Sequence, residues 1–265
     1  MNPLAATLPD VQAEPDARGV PIEEVGIEGL SYPLTVVEQS GGAQRTVGEA
    51  ELVASLPASE RGTHMSRFVE ALDAASDSIS LASTLALARG LRARLDAQQA
   101  KAQLQFPFFV DRAAPATGAV AAMRFDVTYS AWSSEQREST ELVLQAPVTS
   151  LCPCSKDISD YGAHSQRGVA TIAVRCRPEA DLWVEDLIAV ADGAASSPIY
   201  PLLKREDERQ VTMAAYDKPA FVEDLVRDIA VALRDDERVL AMRAEVANDE
   251  SIHDHRAVAR VRWQR

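Results

Sequence analysis

The chain has 265 residues and a mass of 28.7 kDa, 46% hydrophobic and 25% charged, enough for one large domain or two small ones without help from disulfides or metals. Forty acidic residues against 27 basic ones leave a formal charge of −13 and a pI near 4.8. That balance argues against nucleic acid and anionic membranes as partners, and admits a small anionic substrate only where bases gather locally.

Residues 1–25 mix Pro3, Pro9, Pro15 and Pro21 with acids and alanines and show no apolar period. They read as a mobile N-terminal arm ahead of a single domain over residues 26–265. The first base is Arg18, after Asp10, Glu14 and Asp16, so this stretch does not read as a signal or transit peptide. Extended segments are predicted over 26–37 and 45–56. Met65, Phe68, Val69 and Leu72 then fall at helical spacing. A stronger helix is predicted over 79–99, with Leu81, Leu85, Ala88, Leu91 and Leu95 on one face. Its apolar run is broken by Ser83, Thr84 and Arg89 and cannot span a membrane. Strands follow over 103–110, 120–130 and 140–149, then 168–177, with a helix over 181–191. Asp217 is placed to cap a helix with Pro219 in its first turn and Val222, Leu225, Val226, Ile229 and Leu233 on one face. Strands over 239–247 and 256–263 close the chain. Two rounds of strands and long helices, without regular βα alternation, indicate an α+β fold with the look of an internal duplication.

The densest chemistry lies in Leu151-Cys-Pro-Cys154-Ser-Lys156, with His164 ten residues after Cys154. Two thiols flanking a proline suggest a stiff, extended segment. Thiolate and imidazole are zinc-type ligands, and Cys-x-Cys without a second pair fits an open, three-ligand site better than a closed structural one. Two small residues beside a strand end and a polar histidine in a loop fit the same spacing. Glu250 and His253 form an acid–base pair if a turn brings them to one side, and a polar hairpin otherwise. Lys204–Arg209 reads as a solvated charge run, Glu223 as an exposed partner of Arg227 four residues on, and Cys176 as a core thiol. Three cysteines with this spacing are no disulfide framework, which suits the cytoplasm.

Five motifs in order, Gly62-Thr-His-Met-Ser-Arg67-Phe, Leu151-Cys-Pro-Cys-Ser-Lys156, Gly162-Ala-His-Ser-Gln-Arg167, Leu202-Leu-Lys-Arg with Asp207-Glu208, and Asn248-Asp-Glu-Ser-Ile-His253, resemble the prokaryotic type IB GTP cyclohydrolase I enzymes. The resemblance runs from about residue 30 to the C-terminus. It implies a bimodular tunnelling fold in a homotetramer with active sites at subunit interfaces. The implied reaction opens GTP with water to 7,8-dihydroneopterin triphosphate and formate, the first step towards tetrahydrofolate. It also implies a divalent metal, zinc or manganese with iron as a further candidate, held by Cys152, His164 and an acid of the charge run. Glu208 is preferred there, since Glu206 stands where the family has proline. Cys154 takes the place of the catalytic cysteine, although the two thiols can exchange roles. Glu223 takes that of the purine anchor, and Glu250 with His253 that of the proton-handling pair. Ring opening at C8 needs an activated water and an acid–base group used more than once, and one carboxylate can accept two N–H donors of guanine. Lys156, Arg167, Lys204 and Arg205, with Arg209 and Arg256 nearby, are the cations available to a triphosphate. Two rivals are an archaeal-type cyclohydrolase that yields a cyclic phosphate and the tunnelling-fold nitrile reductase of queuosine biosynthesis.

Overall fold

Eight runs of alternating burial pair, in chain order, into one antiparallel sheet: β1 (Ile22–Val37), β2 (Ala43–Leu56), β3 (Gln99–Ala113), β4 (Val120–Ser134), β5 (Glu138–Leu151), β6 (Ser165–Cys176), β7 (Val239–Asp249) and β8 (Arg256–Gln264). This computed structural model describes residues 10–12, 14–177 and 180–265. Six helices stand among the described residues: α1 (Ser66–Ala75), α2 (Leu81–Arg94), α3 (Pro153–Ile158), α4 (Val184–Ala194), α5 (Arg205–Asp217) and α6 (Val222–Asp235). The order strand pair, helices, strand pair occurs twice, so the duplicated α+β plan expected from the sequence is present.

In β4, Met123, Phe125, Val127, Tyr129 and Ala131 are buried, each separated by one residue. That is the period of a sheet covered on one face. The helices supply the cover. Phe68, Leu72, Leu85 and Leu91 from the first half, and Leu225, Ile229 and Leu233 from the second, join one core with Leu104, Leu142, Leu144 and Ile172. The uncovered face carries cross-strand ion pairs, such as Lys101 with Glu51 at 2.8 Å and Arg243 with Glu141 at 3.1 Å.

Several boundaries differ from those expected. β1 begins at Ile22, not 26. Residues 1–9 and 13 of the expected arm lie outside the described residues. Within the rest of it, the Gly62 amide donates to the Gln12 carbonyl at 3.2 Å, Arg61 to Glu14 at 3.1 Å and Asp16 to Ser59 at 3.0 Å. α2 is shorter than residues 79–99. Ser80 caps it by a reciprocal pair of bonds with Ser83, and Asp96 turns the chain at φ 51° so that Gln99 already belongs to β3. Asp217 ends α5 and does not cap α6. The N-cap of α6 is Phe221, whose amide donates to the carboxylate of Asp224 in the first turn at 3.0 Å, and Pro219 lies before the helix.

Candidate active site

Because the strands follow one another in order and every pairing is antiparallel, the β1–β2, β3–β4, β5–β6 and β7–β8 connections emerge at the same end of the sheet. The β5–β6 connection holds Cys152 to His164, and the β7–β8 connection holds Glu250 to His255. Helix α6 starts at this end as well, since the Ala220 amide donates to the Leu151 carbonyl at 3.0 Å. Helix α5 joins them through its first turn, which bonds the β3–β4 turn. Four of the five motifs therefore meet at one end. The fifth, Gly62-Thr-His-Met-Ser-Arg67, sits on the β2–α1 connection at the opposite end, where His64 Nε2 lies 3.2 Å from the Asp10 carboxylate.

Cys152 is extended, as a residue before proline should be, but the chain then enters α3 at Pro153. Proline is favoured at a first helical position because it has no N–H there to leave unpaired. The whole Cys-Pro-Cys segment is thus not extended: Cys152 is the half-buried N-cap, and Cys154 lies exposed in the first turn. The Cys152 thiol sulfur accepts from the Ser155 amide at 3.4 Å. The connection is closed by the Cys152 amide donating to the His164 carbonyl at 3.0 Å. His164 Nδ1 lies 2.9 Å from Oε1 of the buried Gln166. A carbonyl oxygen only accepts, so Nδ1 is the donor of this contact and Nε2 is the ring nitrogen left to face a ligand.

A turn does intervene between Glu250 and His253, whose amide donates to the Glu250 carbonyl at 3.3 Å. The His253 and His255 rings stack with centroids 5.0 Å apart. At the end of β7, Asn248 is buried and donates to the Ser150 hydroxyl at 2.8 Å, while its Oδ1 has no partner.

Glu223 is exposed in the first turn of α6. Its expected partner Arg227 pairs with Asp224 instead, at 3.4 Å, because a spacing of three residues also shares a helix face. Lys156 is drawn to the last turn of α5, donating to the Tyr216 carbonyl at 2.5 Å and lying over the Tyr216 ring. Arg167 stands opposite Asp249 in the β6–β7 register and is exposed, as are Lys204, Arg205, Glu206, Glu208 and Arg209. The charge run is not wholly solvated, for Asp207 within it is fully buried. Burial alone would raise its pKa, but the Thr117 hydroxyl and three main-chain amides hold it at about 2. Asp207 and Gln166 stand inside the motifs seen in the sequence, which assigned neither of them a role. The usable signal for Gln166 was its place two residues after His164, the spacing of neighbours on one face of an extended segment; nothing in the sequence marked Asp207 as buried.

Among the described residues no three His, Cys, Asp or Glu side chains converge so as to hold a metal ion. The donor types at this end nonetheless suit a divalent cation: a thiol at a helix start, an imidazole fixed through its other nitrogen, and exposed carboxylates. A cavity of about 840 Å³ opens on the uncovered sheet face, lined by Lys101, Trp132, Arg175, Arg243 and Arg262 among others. None of the motif residues lines it.

The model of one family, type I GTP cyclohydrolase folE2, matches residues 8–259. The GTP cyclohydrolase FolE2 of Burkholderia ambifaria is 45% identical over 259 residues, covering 98% of this chain and 95% of the relative. That of Nitrosococcus oceani is 43% identical over 265 residues, covering 98% of each. Among solved structures, the uricase of Arthrobacter globiformis superposes with a TM-score of 0.54 at 10% identity, covering 92% of this chain and 93% of that one. A uricase from Bacillus fastidious gives 0.52 at 8% identity, covering 91% and 93%. At such identities the likeness is one of fold, and the fold is the tunnelling architecture.

Proposed function

The chain belongs to the type I GTP cyclohydrolase family, and from that premise we propose that it converts GTP and water to 7,8-dihydroneopterin triphosphate and formate as the first step of tetrahydrofolate biosynthesis. The observation that carries the reading is the meeting of four separated motifs at one end of the sheet, in a chain matched almost end to end. The form proposed is the prokaryotic type IB enzyme, a homotetramer with sites between subunits. Exposure of Glu208, Glu223 and Cys154 in the single chain supports a site that a second subunit completes. Three free thiols support a cytoplasmic location. No helix among the described residues is long and apolar enough to cross a membrane.

Each residue then has work suited to its surroundings. The Glu223 carboxylate, with Arg227 engaged elsewhere, accepts two N–H donors from the pyrimidine edge of guanine. Arg167, Lys204 and Arg205 meet the triphosphate, which accounts for a polyanionic substrate on an acidic protein. Lys156, held to Tyr216, contributes from the rim. Glu250 and His253, one turn apart, deliver a proton to N7 as C8 opens and serve again when formate leaves. Cys152, His164 and Glu208 would hold zinc, manganese or iron, with Cys154 beside them. Bound there, such a metal would supply the Lewis acidity that makes water nucleophilic near neutral pH. Gln166 engages His164 Nδ1 and so leaves Nε2 to serve as the ligand atom.

The test is mass identification of the product that the purified, metal-loaded protein forms from GTP. Equimolar formate with dihydroneopterin triphosphate is expected. A cyclic phosphate product would move the chain to the archaeal type, and NADPH oxidation on a nitrile substrate would move it to the reductase. Absence of formate from GTP rejects the proposal.

A further inference from the structure

Helix α5 is held to the fold without an apolar stripe. Asp207 is its only buried residue. A lone buried carboxylate is costly unless donors satisfy it, and here both oxygens are satisfied. Oδ1 receives the Ala116 and Thr117 amides, each at 2.8 Å, and Oδ2 receives the Thr117 hydroxyl at 2.7 Å and the Lys204 amide at 2.9 Å. Lys204 is the N-cap of α5, whereas Ala116 and Thr117 belong to the β3–β4 turn in the other half of the chain.

A capping acid at this helical position needs only the N-cap amide. Asp224 does that in α6, and its second contact is Arg227 on the same helix. Asp207 takes three further donors from 90 or 91 residues earlier in the chain. With Asp207 facing inward, the residues on either side are turned about 100° around the helix in each direction, and Glu206 and Glu208 are accordingly exposed. Sliding or rotating the first turn of α5 would break the three bonds to the β3–β4 turn together, while the Lys204 amide moves with the helix.

We propose that Asp207 is a positioning residue for the cyclohydrolase site: through it the β3–β4 turn of the N-terminal half fixes where α5 presents Glu208, Lys204 and Arg205 to Cys152 and His164. The inference rests on the functional reading above, and it adds a role for a residue that touches neither substrate nor metal.

The experiment uses the full-length, metal-loaded protein with Asp207→Asn, whose amide sets a donor against donors. Hydrogen exchange of residues 204–217 and 114–119 should quicken by about tenfold while the strand amides keep their protection. Metal occupancy should drop, and kcat/KM for GTP should fall at least about tenfold. Thr117→Val removes one donor and should shift the same readouts in the same direction. Thr117→Ser should restore them. This pair carries the test should Asp207→Asn fail to fold. Unchanged exchange in α5 overturns the proposal, as does a loosened α5 with metal occupancy and kcat/KM within about twofold of wild type. If wild-type protein releases no formate from GTP, the functional reading fails; metal occupancy and exchange in the variants then decide the positioning role by themselves.

Discussion

Cys152, Cys154 and Cys176 are the same side chain in three surroundings. Cys176 is buried in β6 beside the Thr140 hydroxyl, and burial pushes its thiol up, a state unsuited to a nucleophile or ligand. Cys152 is fixed at the start of α3, and Cys154 is exposed one position into it. Cys152→Ala should therefore lower the metal content of purified protein, whereas Cys154→Ala should keep the metal and lose turnover. Cys176→Ala should spare both. Metal analysis giving the reverse order for the first two would exchange their roles. Glu223 offers a sharper contrast. Were it only a helix-surface charge, removing it would change little, about 0.5 kcal/mol at most. As the acceptor of two guanine donors, Glu223→Gln should cost about two to four orders of magnitude in kcat/KM in a folded, metal-loaded protein. Activity within about fivefold of wild type would return Glu223 to the surface.

At the scale of elements, two glycines make opposite predictions. Gly168 lies in β6 on the covered face, where an added Cβ would sit 2.1 Å from Asn248 Oδ1 and 2.7 Å from the Ala247 carbonyl oxygen of β7. A backbone atom cannot turn aside as a side chain can, so Gly168→Ala should destabilise the protein by about 1–3 kcal/mol. Gly90 stands inside α2 with nothing within 4 Å of the corresponding position. Gly90→Ala should stabilise it by about 0.5–1 kcal/mol, by restricting the unfolded chain and improving helix propensity. Urea midpoints of the two variants should fall on opposite sides of wild type. A Gly168→Ala protein as stable as wild type would mean that β6 and β7 can separate locally without cost.

For the whole molecule, acid should be the destabilising direction. Asp207 is held at about 2, and hydrogen bonds from Arg238 and Arg89 lower Asp236 and Glu138 respectively. A carboxyl whose folded value lies below its unfolded value of about 4 contributes stability that is complete above that pH and is lost as pH falls towards the folded value. Asp192 works the other way: burial raises it despite Arg112, so its protonation on acidification favours the fold. Asp16, held at about 2 by its hydrogen bonds from Arg18, makes a fourth depressed carboxyl. Four depressed groups against one raised group give a urea midpoint that declines below about pH 4. A midpoint no lower at pH 3 than at pH 5 would contradict this.

Much of the architecture is a direct reading of apolar period. Met123 to Ala131 alternate because one sheet face is covered, and Leu225, Ile229 and Leu233 recur because one face of α6 is buried. The thiols and imidazoles of the site were also legible, since three cysteines and four histidines are few enough in this chain to be noticed where they cluster. The carboxylates, forty in all, were not distinctive in themselves. Period reports only the burial of apolar atoms, however. Helix α5 buries a carboxylate and no apolar stripe, so it read as a charge run. The proline at the first position of α3 looked like an extended segment because the residue before it is extended. Which connections share an end of the sheet was settled only by the antiparallel order of eight strands, and that order sent Gly62–Arg67 to the far end. Asp207 is the clearest case: its donors lie as far as 91 residues away, and no local pattern announces a partner that only the folded chain brings within 2.8 Å.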